Sequence, residues 1–158
     1  MKMNKTTNQY SSILALIFIC LICMSTEAFS QNGKATERQV TGTWTMDLGK
    51  SKSRMTQDKR SALNDLDAQT RNRIESKYKN RELIFRKDKT FSMIINGDEV
   101  ITGDWKIAPN GKRIVVVPER GENYRYDIVS INANRLRIKP RVKSENNLLF
   151  PEWHLVKK

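Results

Sequence analysis

The pattern Gly-x-Trp occurs twice and constrains the possible folds of this chain more than any other feature. Each copy lies in a stretch where apolar and polar residues alternate. The first copy is Gly42-Thr43-Trp44 and the second is Gly103-Asp104-Trp105. Alternation with a period of two is typical of a β-strand that is buried on one face. Glycine lets such a strand bend sharply, and the tryptophan two positions later points to the same face. The pattern predicts a sheet that closes into a small barrel, with a tryptophan at one end.

The first thirty residues have the features of a secretory signal peptide. Lys2 and Lys5 precede an apolar run from Ile13 to Met24, and small residues follow before Gln31. A charged start, a short apolar run and a small-residue cleavage site define such a peptide. A membrane-spanning helix needs roughly 20 apolar residues, whereas this run has twelve. We therefore predict export to the periplasm or the extracellular space.

Length and cysteine content limit what the exported part can be. Residues 31–158 number 128, which suffices for one domain with one core. Both cysteines, Cys20 and Cys23, lie in the predicted signal peptide, so we expect neither disulfides nor thiol chemistry after export. We predict three segments: a signal peptide at 1–30, a flexible leader at 31–38 and a barrel domain at 39–158.

The alternating pattern recurs along the chain with one interruption. Between Thr56 and Tyr78 the apolar residues follow a helical period, and Asn80 can end this helix. Tight turns such as Asn96-Gly97-Asp98 join most of the strands. The predicted strands cover Gln39–Leu48, Arg81–Lys87, Thr90–Ile95, Glu99–Ala108, Lys112–Val117, Asn123–Ile131, Arg135–Val142 and Leu148–Val156. We therefore predict a mostly β fold, an eight-stranded antiparallel up-and-down β-barrel with one helix between the first and second strands.

The order of these motifs resembles the lipocalin-like domain of secreted bacterial proteins, over nearly all of Val40 to Val156. The resemblance rests on the first Gly-x-Trp, the helix after it, and the segments Leu83-Ile84-Phe85, Asp88-Lys89-Thr90-Phe91, Gly103-Asp104-Trp105 and Asn134-Arg135-Leu136. It implies a calycin-type barrel, and the lipocalins related to this domain carry small hydrophobic ligands. Those lipocalins also place an arginine near the end of the last strand, over the first-strand tryptophan. This chain ends instead in Lys157-Lys158.

The sequence contains no arrangement of residues that points to catalysis or to a metal. His154 is the only histidine, and its strand position predicts an outward side chain without metal-binding partners. No serine lies in the Gly-x-Ser-x-Gly turn that serine hydrolases use. We therefore expect a protein that is not an enzyme and that needs no cofactor or metal ion.

The aromatic and thioether side chains of the inward faces leave two alternatives open. They can fill the barrel as a solid core, or they can line an apolar pocket in which tyrosine hydroxyls hold a polar head group. The candidate ligand-binding residues are Phe85, Phe91, Met93, Tyr124 and Tyr126. On this hypothesis the chain is an exported, monomeric binding protein for a small hydrophobic or amphipathic ligand. The segment between Gly49 and Asn80 would gate the mouth of its barrel.

The positive charge supports a different function. The chain has 29 Lys and Arg against 17 Asp and Glu, a net charge of +12. Basic residues recur at strand period on one predicted face: Arg135, Arg137, Lys139, Arg141 and Lys143. Such a row is usually a solvated wall that discourages aggregation, but it can also bind an anionic lipid or glycan surface. The alternative is therefore a solid-cored barrel that acts as an envelope interaction module or inhibitor. Export makes nucleic acid an unexpected partner.

Overall fold

The computed structural model describes residues 34–141 and 149–158, which form a closed barrel. Its strands are β1 (Gly42–Met46), β2 (Arg81–Phe85), β3 (Thr90–Ile95), β4 (Asp98–Ile107), β5 (Arg113–Pro118), β6 (Tyr124–Ile131), β7 (Arg135–Arg141) and β8 (Trp153–Lys157). Consecutive strands pair antiparallel, and β1 also pairs with β8. The predicted eight-stranded up-and-down barrel is confirmed. The predicted signal peptide and the positions Lys143 and Leu148 lie outside the described residues.

The described residues contain four helices, of which one precedes β1 and three connect β1 to β2. They are α1 (Glu37–Val40), α2 (Leu48–Ser53), α3 (Gln57–Asn64) and α4 (Ala68–Lys79). Helical structure between the first two strands is confirmed, but as three helices in place of one. The side chains of Thr56 and Asp67 accept hydrogen bonds from the first turns of α3 and α4, so each begins a new helix. Asn80 ends α4 as predicted.

No helix in the described part of the chain has both the length and the apolar character needed to cross a bilayer.

The first strand begins later than the alternating pattern predicts. Gln39 and Val40 belong to α1, which starts with a capping box: the Gln39 N–H donates to Thr36 Oγ1, and the Thr36 N–H donates to Gln39 Oε1 at 2.9 Å. These reciprocal local hydrogen bonds favour a helical turn over two more residues of strand. Within the predicted leader, Ala35 is buried, and its N–H donates to the Gly111 carbonyl at 3.0 Å.

The up-and-down order gives the barrel two different ends. The odd-numbered strands begin at the end of the barrel where α1 leads into β1, and the even-numbered strands finish there. We call this the α1 end. At the opposite end, α2, α3 and α4 connect the last residue of β1 to the first residue of β2; we call this the α2–α4 end. Met55 and Leu63 from the helical connection are buried in the same hydrophobic cluster as the barrel residues. The helices therefore pack on the barrel and extend its core.

Both tryptophans of the Gly-x-Trp motifs point into the barrel, as predicted. Trp44 is fully buried, and its Nε1 donates to the Val40 carbonyl at 2.7 Å. Trp105 is 2% exposed, and its Nε1 donates to the Arg86 carbonyl at 2.9 Å. Each indole thus buries its rings and still satisfies its single donor.

The glycines of the two motifs are required for different reasons. Gly42 has a φ of 138°, which side-chain-bearing residues rarely adopt. At Gly103 an added Cβ would lie 2.2 Å from the Val117 carbonyl oxygen, so only glycine lets β4 and β5 approach this closely.

Candidate functional site

Aromatic side chains fill the interior at the α1 end. Phe85 and Phe91 are fully buried, and their ring centroids are 5.2 Å apart. The ring of Trp105 meets that of Phe85 edge to face at 5.3 Å. Two of the five predicted ligand-binding residues, Phe85 and Phe91, therefore belong to a solid aromatic core at this end.

The other three predicted ligand-binding residues lie elsewhere. Met93 is 4% exposed and Tyr126 is 2% exposed, and both are on inward faces of the barrel. Tyr124 is 37% exposed at the start of β6. The structure therefore does not gather the five residues around one pocket, and of the two tyrosines only Tyr126 has a buried hydroxyl.

A second group of interior side chains lies toward the α2–α4 end; we call it the Arg81 cluster, comprising Tyr78, Arg81, Tyr126 and Trp153. Arg81 and Trp153 are the first residues of β2 and β8, and Tyr126 is the third residue of β6. Even-numbered strands all begin at the α2–α4 end, so the closed barrel brings these positions near one another. Tyr78 joins them from the last turn of α4, three residues before Arg81.

The indole of Trp153 lies at the centre of this cluster. Its ring centroid is 5.8 Å from that of Tyr126 and 6.3 Å from that of Tyr78. The guanidinium carbon of Arg81 is 4.6 Å from the Trp153 centroid and 4.5 Å from the Tyr78 centroid. Arg81 therefore makes cation–π contacts with two rings, and these contacts hold its charge at the mouth of the barrel.

Three polar atoms of the cluster are buried without a hydrogen-bond partner in the described part of the chain. They are Arg81 Nε, Tyr126 Oη and Trp153 Nε1. Within residues 34–141 and 149–158, no acidic side chain forms an ion pair with Arg81. Buried polar groups are nearly always paired in native proteins, so three such atoms together mark an unusual site.

The electrostatics of the cluster follow from burial. Desolvation lowers the pKa of Arg81, but an arginine stays charged in any case. Burial also raises the pKa of Tyr126 well above its usual value, and the charge of Arg81 offsets part of that rise. Near neutral pH the cluster therefore presents one cation and two neutral donors, the tyrosine hydroxyl and the indole N–H.

The importance of Arg81 was missed at the level of sequence, although a signal for it exists. Arg81 stands two and four positions before Leu83 and Phe85, which are both inward-facing and fully buried. The period of a strand therefore places a charged side chain on the inward face. A charge at such a position is rare enough to indicate a functional site.

His154 lies on the outer face of β8, as predicted, but α2 covers it. Its backbone N–H donates to Ser51 Oγ at 3.0 Å, and its Nε2 is 3.0 Å from Glu152 Oε1. Burial lowers the pKa of His154, and the attraction of Glu152 opposes this effect. No group of three or more histidine, cysteine or acidic residues in the described part of the chain could hold a metal ion.

The predicted basic row on β7 is partly neutralised by acidic neighbours. Arg137 pairs with Glu152 at 2.8 Å, and Arg141 pairs with Asp127 at 2.5 Å. Partial burial of Asp127 opposes its ionisation, but hydrogen bonds from arginines outweigh this and lower its pKa. Arg137 therefore has an acidic partner, and Arg141 shares one with Arg113, which weakens the row as a continuous track for an anionic surface.

The outside of the barrel carries an open cleft of about 480 Å³ at the α1 end. It is lined by Thr41, Gly42, Thr43, Ile84, Phe85, Arg86, Lys87 and Asp88. Of the predicted ligand-binding residues, Phe85 alone borders this cleft, and the Arg81 cluster does not.

Comparisons with known proteins give one structural similarity. No protein-family model matches the chain, and no curated protein matches it. Among solved structures, the chain is similar to a DUF4847 family protein from Bacteroides vulgatus ATCC 8482, known from a crystal structure at 1.00 Å resolution. The two share 14% identity and a TM-score of 0.46, over 77% of this chain and 94% of the other.

Proposed function

We propose that this chain is an exported, non-enzymatic binding protein that holds a small amphipathic or hydrophobic molecule at the α2–α4 end of its barrel. The observation that carries the proposal is a set of three buried polar atoms that have no hydrogen-bond partner among residues 34–141 and 149–158: Arg81 Nε, Tyr126 Oη and Trp153 Nε1. A buried donor that lacks an acceptor costs about 1–3 kcal/mol, and more when it is charged. A ligand that accepts hydrogen bonds from these donors would recover that energy on binding.

The surroundings of the Arg81 cluster suit the apolar part of such a ligand. Partly buried hydrophobic side chains pack against the core: Ile95, Ile101, Ile128 and Leu149. Ile95 ends β3, and its neighbours across the sheet begin β4, so this apolar surface reaches the α2–α4 end. Each CH₂ group that moves from water onto such a surface contributes about 0.8 kcal/mol. An aliphatic tail and a polar head could therefore both be accommodated at this end.

The difference between the two ends supports binding at only one of them. At the α1 end, each indole N–H already has an acceptor, because Trp44 Nε1 donates to the Val40 carbonyl and Trp105 Nε1 donates to the Arg86 carbonyl. The ring of Trp44 there is covered by Lys157, whose Nζ lies 5.0 Å from the ring centroid. Lys157 thus makes the contact for which the related lipocalins use an arginine, which supports a lipocalin-like fold.

The helices α2 and α4 would act as the cover of the site. Lys52 of α2 pairs with Glu75 of α4 at 2.7 Å, which ties the two helices to each other. At the end of α4, Asn80 Nδ2 donates to Asn96 Oδ1 at 2.9 Å. These two contacts are polar, whereas Leu63 holds the helical connection in the hydrophobic core. We propose that a ligand enters when α2 and α4 separate from each other while the connection stays packed on the barrel.

The chemistry of the cluster favours binding over catalysis. Burial keeps Tyr126 protonated at neutral pH, so it donates a hydrogen bond and does not act as a base. Arg81 cannot exchange a proton at any ordinary pH. These groups orient and neutralise a bound molecule, and none of them is a nucleophile.

The first experiment identifies what the protein carries and where. Native mass spectrometry of the protein purified from its own host should show a stoichiometric adduct that is lost on denaturation, and solvent extraction would identify it. Aliphatic compounds that bear bromine in the tail quench tryptophan fluorescence on contact, and they should quench the wild-type protein.

Two tryptophan variants locate the binding site. Trp153→Phe should lose most of the quenching by the brominated compound, because Trp153 lies in the Arg81 cluster. The matched control, Trp105→Phe, removes a tryptophan at the α1 end and should retain the quenching. Native mass spectrometry confirms that each variant still binds the compound. Equal quenching in both variants, or no bound compound in the wild type, would contradict the proposal.

A further inference from the structure

We infer that the polar group of the ligand is a carboxylate, held by the guanidinium of Arg81 together with Tyr126 Oη and Trp153 Nε1. This inference rests on the function proposed above and specifies the chemical class of its ligand. Neither Tyr126 nor Trp153 is more than 4% exposed, so their donors cannot turn to bulk water. Tyr126 Oη and Trp153 Nε1 are both buried without a hydrogen-bond partner among the residues that the structure describes.

The rings of Tyr78 and Trp153 do not enclose the guanidinium of Arg81 between them. The centroids of Tyr78 and Trp153 each lie about as far from the Arg81 guanidinium carbon, at 4.5 and 4.6 Å. The two centroids are only 6.3 Å apart. Rings on opposite faces of the guanidinium would be much farther from each other. The rings therefore cover adjacent sides of the group, and its buried Nε has no hydrogen-bond acceptor in the described part of the chain.

A planar anion with two oxygens fits the donors that remain. The guanidinium presents its N–H groups along its edge, and a carboxylate accepts two such bonds in one plane. Each carboxylate oxygen has a further lone pair, which could accept from the Tyr126 hydroxyl or the Trp153 indole. An alcohol or an ether head group can accept these bonds but cannot neutralise Arg81.

The count of charges favours a carboxylate over a phosphate. No described acidic side chain pairs with Arg81, so a ligand with a single negative charge would neutralise the cluster. A phosphate monoester carries between one and two negative charges at neutral pH, which would leave uncompensated charge beside two aromatic rings. Burying an unpaired charge is strongly unfavourable.

The test compares aliphatic compounds that differ only in the head group. Isothermal titration calorimetry at pH 7.5 would measure binding of straight-chain carboxylates of six to fourteen carbons, the alcohols of the same lengths and the corresponding alkyl phosphates, all below their micellar concentrations. The best carboxylate should bind about tenfold to a hundredfold more tightly than its alcohol, as expected for a charge-assisted hydrogen bond. Acetate serves as a carboxylate without a tail and should bind weakly, which separates amphipathic acids from small hydrophilic ones.

Three variants assign the effect to the cluster. Arg81→Met keeps an unbranched apolar stem and removes the charged guanidinium, and it should abolish the preference for the carboxylate over the alcohol. Tyr126→Phe removes only the hydroxyl and should reduce carboxylate affinity about fivefold to tenfold. The matched control is Arg125→Met, which removes the same charge from the exposed outer wall of β6 and should leave affinity unchanged. If Arg81→Met fails to fold, Tyr126→Phe still tests the inference.

The outcomes distinguish the inference from the function on which it rests. Equal binding of alcohols and carboxylates would overturn the carboxylate inference and leave the proposed ligand-binding function in place. Tighter binding of the alkyl phosphates than of the carboxylates would have the same two consequences. A carboxylate preference that persists in both Arg81→Met and Tyr126→Phe would also overturn the inference. Failure of every compound to bind the wild-type protein would overturn both. A preference that is lost in Arg81→Met, reduced in Tyr126→Phe and kept in Arg125→Met would support the inference.

Discussion

Replacing Tyr126 by phenylalanine should stabilise the ligand-free protein, which is the opposite of what core substitutions usually do. The Tyr126 side chain is 2% exposed, and its hydroxyl has no hydrogen-bond partner in the described part of the chain. Removing an unsatisfied buried hydroxyl relieves a desolvation penalty of about 1–3 kcal/mol. The ring stays, and with it the contact to Trp153 at 5.8 Å. The small cavity left by the missing oxygen reduces this increase in stability.

We therefore expect the free energy of unfolding to rise by about 1 kcal/mol. For a domain of this size that corresponds to an increase in Tm of about 3–5 °C. Urea unfolding followed by tryptophan fluorescence measures the change, with an unaltered m value as the sign that only stability has changed. The protein must first be extracted with solvent and shown to be free of ligand, because a ligand held by Tyr126 would stabilise the wild type and mask the effect.

Tyr124→Phe is the matched control, since Tyr124 is 37% exposed and hydrated. It should change stability by no more than about 0.5 kcal/mol. A loss of stability in Tyr126→Phe, with Tyr124→Phe unchanged, would refute the reasoning. It would mean that the Tyr126 hydroxyl has an acceptor in the ligand-free protein.

Three further predictions concern the barrel and its cover. Gly103→Ala should destabilise the protein by about 1–3 kcal/mol, because the new methyl group would meet the Val117 carbonyl at 2.2 Å, and urea unfolding would detect this. Trp44→Phe should lower the free energy of unfolding by about 1–3 kcal/mol in the same assay, since it leaves the Val40 carbonyl without its 2.7 Å hydrogen bond. Burial holds the pKa of His154 below its usual 6.5, so the unfolded chain takes up this proton at a higher pH than the folded chain does. Stability should therefore be lower at pH 5.5 than at pH 7.5, and a variant His154→Gln with an undiminished pH dependence would contradict this assignment.

The number and order of strands could be predicted from the sequence, because each depends on local chemistry. Turn residues such as those of Asn96-Gly97-Asp98 set where strands end, and the alternation between them sets which side chains face inward. The two Gly-x-Trp motifs also predicted that Trp44 and Trp105 would point into the barrel, where both are buried. Where prediction failed, a competing local interaction decided the outcome. The capping box at Thr36 turned two residues of the predicted first strand into helix, and the cap at Asp67 divided the predicted single helix.

The candidate site was less predictable, because its residues meet only when the barrel closes. Tyr78, Tyr126 and Trp153 are far apart in the chain, and no short motif links them. Aromatic character alone suggested Phe85 and Phe91 as ligand-binding residues, yet they form the solid core of the opposite end. Residue type indicates that a side chain will be buried. It does not indicate whether the buried groups will find partners.

What the sequence determined by itself was therefore the barrel, through periodicity and turns that act over a few residues. The tertiary structure alone decided which end is filled and which end holds Arg81, since that depends on strand direction and closure. It also decided that Arg81 Nε, Tyr126 Oη and Trp153 Nε1 are left without acceptors in the described chain. Hydrogen bonding is satisfied or frustrated by atoms that long-range packing brings together, and no local pattern contains that information.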